Sequence, residues 1–324
     1  MGGTVSGLLT EEGDCYVIPA RFSVPVILSD QDLPATMEEL TERVLSGSAR
    51  TAEQQDMNDY GWVDGAYLQL QPSGEFYDVW LAASGGSLVT AEGVDTEALT
   101  DWLDDLKQIS DHYDLTDGAA LFGETSGSAY EGFGYGNRNE YFPSDGQWGD
   151  GSAGVMIMYD VQSLLGEMVA RCSEYDETVG EDVIAPEAAN FQIARFPGLT
   201  EGAYTPEILM AVSAGSGQTD LAKEFIETTL SEDIQRYTYG DGLPVTQTGM
   251  DAQLDYFADY AGQCGWDISA LETIFNSCTT PVTLELEVQE VLYDAANRLC
   301  LGETDLDSAV AQVESDLALK LAEQ

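Results

Sequence analysis

From Cys15 to Leu28 the chain is almost continuously apolar, rich in Val, Ile, Tyr and Phe and interrupted by Pro19 and Pro25. That pattern predicts a strand that leaves one sheet edge and crosses elsewhere, a connector between two lobes. The period then changes from two to about 3.6. Thr36 with Glu39 three residues later forms a capping box, and Met37, Leu40, Val44 and Leu45 share one face of the helix it opens. Residues 46–66 are small, polar and weakly periodic, which predicts loop. The stretch "DVWLAASGG" at 78–86 reads as an apolar helix ended by a glycine pair. Asp95 caps the next helix, whose stripe runs through Ala98, Leu99, Trp102, Leu103, Leu106 and Ile109.

Residues 123–154 are glycine-rich and carry Tyr130, Phe133, Tyr135, Tyr141, Phe142 and Trp148, the composition of a long aromatic loop. "AGVMIMYD" (153–160), "FQIARFP" (191–197) and "EILMAVSAGS" (207–216) each predict a buried strand followed by a turn. A helix over 219–230 follows, with Leu221, Ala222, Phe225, Ile226 and Leu230 on adjoining rows. Two amphipathic helices around Gly302 close the chain, the first carrying Val288, Leu292 and Leu299 and the second Leu306, Val310 and Leu317. Strand and helix alternate throughout, which predicts an α/β class; a chain of 324 residues is expected to divide into two lobes or domains.

Charge narrows the partners. With 59 acidic and 11 basic residues the formal net charge is −48, spread along the whole chain. Such a surface repels phosphates, so nucleic acid and anionic lipid are poor partners and a neutral or cationic ligand is favoured. Five cysteines form no C-x-x-C pair, and with His112 as the single histidine neither a zinc site nor a histidine relay is expected. No cofactor is implied. No apolar run approaches membrane-spanning length, and Met1 is followed by no basic and apolar leader pattern.

Two stretches carry residue types found in catalytic or metal sites. "AVSAG" (211–215) is an A-x-S-x-G variant of a nucleophile elbow, but the lone His112 precedes Ser213, whereas the elbow fold expects its histidine afterwards. "DHYDLTDGAALFGE" (111–124) spaces Gly118 and Glu124 as in a calcium loop, yet Tyr113 and Leu115 occupy the first ligand positions. Paired carboxylates for a glycan hydrolase cannot be singled out among 59 acids. Few reactive side chains and many aromatics in loops suit a binder, with rings for sugar faces and carboxylates for hydroxyls.

The stretch "SAGSGQTDLAKEFIETTLSEDIQRYTYGDGLPVTQ" (213–247) resembles the extracellular solute-binding proteins of family 1, the sugar-binding components of ABC importers. Ala222, Glu224, Phe225, Ile226, Leu230, Ser231, Glu232, Gln235, Leu243, Pro244 and Val245 lie in register with that family's strand end, helix and G-x-P-V turn. "YVIPARFSVPVILSDQDL" with "PATMEEL", "GSAGVMIMYDVQSLL" and the closing "LCLGETDLDSAVAQVESDLALKLAEQ" resemble further family segments in the required order.

The resemblance implies a class II periplasmic-binding-protein fold, two α/β lobes closing on a solute by a hinge. It assigns residues 1–20 and 208–280 to a first lobe that lacks about a hundred opening residues, and 21–207 with 281–324 to a second. It implies no enzymatic activity, a neutral saccharide as ligand, an ABC permease as partner, and an extracellular site with lipoprotein anchoring of the full-length form. Position by position it places Arg21, Phe22 and Ser23 on the first crossing strand, Ser73, Glu75 and Tyr77 before the "LAASGG" helix, and Tyr159, Asp160 and Gln162 after the apolar strand. The family's stacking tryptophan is replaced by Gln162, and the segment Glu285 to Gln289 lacks its aromatic, so Tyr135 or Trp148 is expected to substitute. A same-fold binder of a polyamine or peptide, a glycan or ester hydrolase and a fragment unable to close a cleft are the alternatives.

Overall fold

The computed structural model describes residues 16–29, 31–49, 65–68, 75–90, 93–113, 153–159, 161, 173–176, 181–184, 192–237, 241–263, 266 and 268–323. Its organising element is β1 (Ile18–Ser29), which changes partners midway. The first half pairs antiparallel with β8 (Ala203–Met210), Ile18 opposite Met210 and Ser23 opposite Thr205, and briefly with β9 (Leu243–Pro244). The second half pairs with β4 (Ala153–Met158) and β7 (Gln192–Arg195). The change falls between Ser23 and Val24, next to Pro25, whose carbonyl accepts from the Phe196 amide at 2.9 Å. β10 (Thr280–Pro281) adds to the far side of β8 in parallel, completing a six-stranded mixed sheet. Two small hairpins, β2–β3 (Val89–Thr90 with Gly93–Val94) and β5–β6 (Ser173–Asp176 with Glu181–Ile184), stand apart.

Period-two alternation along β1 sorts its residues between two apolar clusters. Phe22, Val24, Val26 and Leu28 enter one, with Met250, Leu254 and Phe257 of α6 (Gln247–Gln263) and Leu271, Ile274 and Phe275 of α7 (Ser269–Asn276). Ile27 enters the other, a larger layer built from α1 (Met37–Ser46), α2 (Glu75–Leu88), α3 (Thr96–Tyr113), α8 (Leu286–Cys300) and α9 (Leu306–Glu323). The expected caps are present: Thr36 Oγ1 accepts from the Glu39 amide at 3.2 Å and Asp95 Oδ1 from the Ala98 amide at 3.0 Å. The two closing helices flank Gly302, whose φ of 72° suits a residue without Cβ, and pack into the larger cluster.

Two elements differ from the sequence expectation. The glycine pair does not end the helix at 86, because α2 runs through Gly85 and Gly86 to Leu88. A Cβ on Gly85 would lie 2.8 Å from Leu284 Cδ1 and 3.1 Å from Val282 Cγ1, so these glycines permit close approach of a neighbouring segment. The strand expected to open 207–216 starts earlier, at Ala203, and ends at Met210, before the expected turn at 211–216, which is exposed. The reason is the partner: β8 extends only as far as β1 can pair with it. α4 (Thr219–Thr229), followed by the single turn α5 (Glu232–Gln235), buries none of its residues and leaves Leu221 and Phe225 exposed. The expected loop at 123–152 lies outside the described residues, and among those described no helix is long and apolar enough to cross a membrane.

Cys278 and Cys300 are buried free thiols. Burial pushes both up, Cys300 to about 12, against the opposing pull of Arg195 on Cys278. Neither is a thiolate at neutral pH. Peptide mass spectrometry after iodoacetamide at pH 8 is expected to find both unmodified in the folded protein and alkylated in urea; fast native labelling of either would contradict this packing.

Candidate functional site

Pairing Ser23 with Thr205 places both on one face of the sheet, with Glu207 two residues further along the same side. Ser23 Oγ donates to Glu207 Oε1 at 2.9 Å, and the two side chains are 1% and 9% exposed. A carboxylate this enclosed is held in place by that bond. Thr205 is 8% exposed, and its Oγ1 is buried with no hydrogen-bond partner among the described residues. A buried hydroxyl left unpaired costs on the order of 1–3 kcal/mol, which a ligand hydroxyl would recover.

These groups border a cavity of about 240 Å³. Leu81 and Ala82 of α2 form one wall, Pro206 and Leu209 of β8 another, and Val282, Thr283, Leu284 and Gln289 the third. The third wall is held by the parallel β10–β8 pairing, extended by the Val282 amide to the Tyr204 carbonyl at 2.8 Å. It lies against α2 because Gly85 has no side chain to keep it away. Gln289 Nε2 donates to the Leu284 carbonyl at 2.8 Å, fixing the entry to α8. Between the lining residues Glu207 and Leu209 stands Ile208 at φ 53°, a strained conformation for a β-branched residue. The result is an apolar-walled recess with an anchored carboxylate and an unpaired hydroxyl, suited to hydroxyl-bearing ligands.

A second recess of about 670 Å³ lies among Gln31, Asp32, Arg43, Ser46, Gly47, Gly65, Tyr67 and Gln192. Its cation is already engaged, Arg43 donating to the Asp32 carbonyl and, at 3.4 Å, to the Tyr67 hydroxyl.

The sequence candidates are distributed as follows. Ser23 stands behind the cavity through Glu207. Arg21 is 2% exposed; its guanidinium donates to the carbonyls of Gln235 (3.1 Å), Ile234 (3.3 Å) and Tyr237 (3.2 Å), and Nε lies 3.4 Å from Asp241 Oδ1. Phe22 is fully buried, edge-on to Tyr204 and Phe275. Tyr77 is buried on α2 against Trp102 and Tyr293, and Tyr159 is buried just past β4. Glu75 begins α2, but its side chain lies outside the described residues, as do Ser73, Tyr135, Trp148, Asp160 and Gln162. Ser213 sits in the exposed turn after β8, and His112 on the last turn of α3. Among the described residues no cluster could hold a metal ion.

Thr205, Glu207 and Gln289 line the cavity and are not among the sequence candidates. The only available signal was a polar pair, Thr205 and Glu207, two apart in an apolar strand.

No family model and no curated protein matches the chain. Solved structures do. A Synechococcus protein described as an oligosaccharide periplasmic-binding protein aligns over 100% of this chain and 77% of its own, with TM-score 0.60 and 14% identity. A sugar transporter from Rhizobium etli in an open conformation aligns over 98% and 75%, with TM-score 0.54 and 14% identity. An ABC-transporter solute-binding protein from Agrobacterium radiobacter, in complex with ribitol, aligns over 97% and 73%, with TM-score 0.53 and 13% identity. The chain therefore has the α/β fold of the periplasmic-binding-protein-like solute-binding proteins. The similar proteins are described as binding and transport proteins.

Proposed function

We propose that the protein is the solute-capturing component of an ABC importer, taking up a neutral saccharide or polyol and delivering it to a membrane permease. One observation carries the reading. Where the crossing strands β1 and β8 meet α2 and the 282–284 segment, a buried carboxylate and an unpaired hydroxyl face an apolar-walled cavity. The similar structures named for sugars and a polyol support the ligand class.

In this proposal, segments 1–20 with 208–280 and 21–207 with 281–324 are the two lobes, closing by a hinge at the crossings. Work outside the cell, tethered as a lipoprotein, belongs to the same reading, as do ligand contacts from Ser73, Glu75, Asp160 and Gln162, with Tyr135 or Trp148 as the stacking ring and Ser23 acting through Glu207.

Thermal-shift screening is the test. A saccharide or polyol at a hundred times its Kd is expected to stabilise the protein by about 2.7 kcal/mol, a rise of a few degrees in Tm. A shift from polyamines or peptides and from no sugar would refute the ligand class; turnover lost in Ser213→Ala would refute the binder.

A further inference from the structure

We propose that the cavity at the β1–β8 crossing recognises a single polyol or monosaccharide unit, and that Thr205, Glu207 and Gln289 determine that choice; the proposal rests on the solute-binding reading above. Size is the first argument. About 240 Å³ is the room of roughly eight water molecules and falls below the range of pockets that enclose drug-sized ligands. A pentitol, a hexitol or one pyranose fills that space, and any further sugar unit would lie outside it.

The lining is the second argument. Its described residues include no aromatic ring, so stacking on a pyranose face is not what this wall offers. Leu81, Ala82, Val282 and Leu284 present aliphatic surface for C–H groups, and the polar side chains of the described lining are those of Thr205, Glu207, Thr283 and Gln289. Such a wall reads the hydroxyl pattern of a small ligand along its edge. Thr205 Oγ1 can both donate and accept, and it is buried without a hydrogen-bond partner among the described residues. Glu207 is held by Ser23, so its carboxylate meets a ligand hydroxyl already oriented. Among the described lining residues there is no Lys or Arg to attract a sugar acid or a sugar phosphate.

Calorimetric titration of the full chain with xylitol, mannitol, glucose, maltotriose and putrescine tests this. At least one of the first three is expected to bind more tightly than maltotriose, and Thr205→Val to weaken that binding roughly tenfold without lowering the Tm of the ligand-free protein. Gln289→Ala, at the rim, provides a second variant should Thr205→Val fold poorly; it is expected to weaken binding severalfold. Maltotriose binding without any single unit overturns the proposal and leaves the saccharide-binder reading intact. Equal affinity of the best single unit for the wild type and both variants also overturns it. Binding of putrescine alone, or of nothing, overturns both.

Discussion

Replacing Asp78 with asparagine is expected to stabilise the protein by up to about 4 kcal/mol at pH 8 and to change it little at pH 4. Asp78 lies on α2, one turn before the cavity wall at Leu81 and Ala82, and its charge is felt by Tyr293 of α8. Removal from water pushes its carboxyl up from 3.8 to about 7. In the unfolded chain the group loses its proton near 3.8, whereas the folded protein keeps it until about 7. Between those values the folded state binds more protons, so stability falls as pH rises and the loss is complete above about 7. The many other carboxylates add a falling trend of their own through mutual repulsion, and comparison with Asp78→Asn removes it, since both proteins share it. Urea unfolding of both at pH 4 and pH 8 is the measurement. Parallel pH profiles would show that Asp78 is hydrated in the folded protein.

Much of this architecture was legible because it depends on local period and capping. Thr36, Asp95 and the stripe from Ala98 to Ile109 specify α1 and α3 without reference to anything distant. The strand around Pro19 and Pro25 announces a crossing, since two prolines interrupt an otherwise buried run and a single central strand does not tolerate them. What failed was whatever a distant partner decides. Gly85 and Gly86 look like a helix end until Val282 and Leu284 are seen to occupy the space a side chain would need. β8 could not be delimited from its own apolar run because its length is set by pairing with β1.

The site obeys the same rule. Ser23 was found through its strand, but Glu207 is one acid among 59, and only the register that sets Ser23 against Thr205 brings it to a cavity. The strand that the resemblance marks is β1, and burial decides which of its side chains can face the cavity. Phe22 alternates into the apolar layer, and Ser23 alternates toward α2.

Arg21→Met is expected to destabilise the protein by roughly 3–5 kcal/mol, the cost of breaking a buried ionic contact from one side. The guanidinium serves a ring of acceptors from two segments at once. It joins β1 to the carbonyls of Ile234, Gln235 and Tyr237 around α5, and to Asp241 in the turn before β9. Gln235 completes the joint: fully buried, it donates to the carbonyls of Ala20 and Thr229, each at 3.0 Å, and accepts from the Val245 amide. Gln253 of α6 donates to the Gln235 and Tyr237 carbonyls as well. Methionine matches the length of arginine but satisfies none of these acceptors. Asp241→Asn in the Arg21→Met background should recover part of the loss, because it removes the stranded charge. Urea midpoints of the single and double variants give the coupling directly. Lysine separates a packing role from a ligand role at this position, since it keeps the charge and loses the fork of donors. A joint made by the fork predicts that Arg21→Lys lowers the urea midpoint while solute affinity in the folded fraction is unchanged. An unchanged midpoint with weakened affinity would instead place Arg21 in contact with the solute.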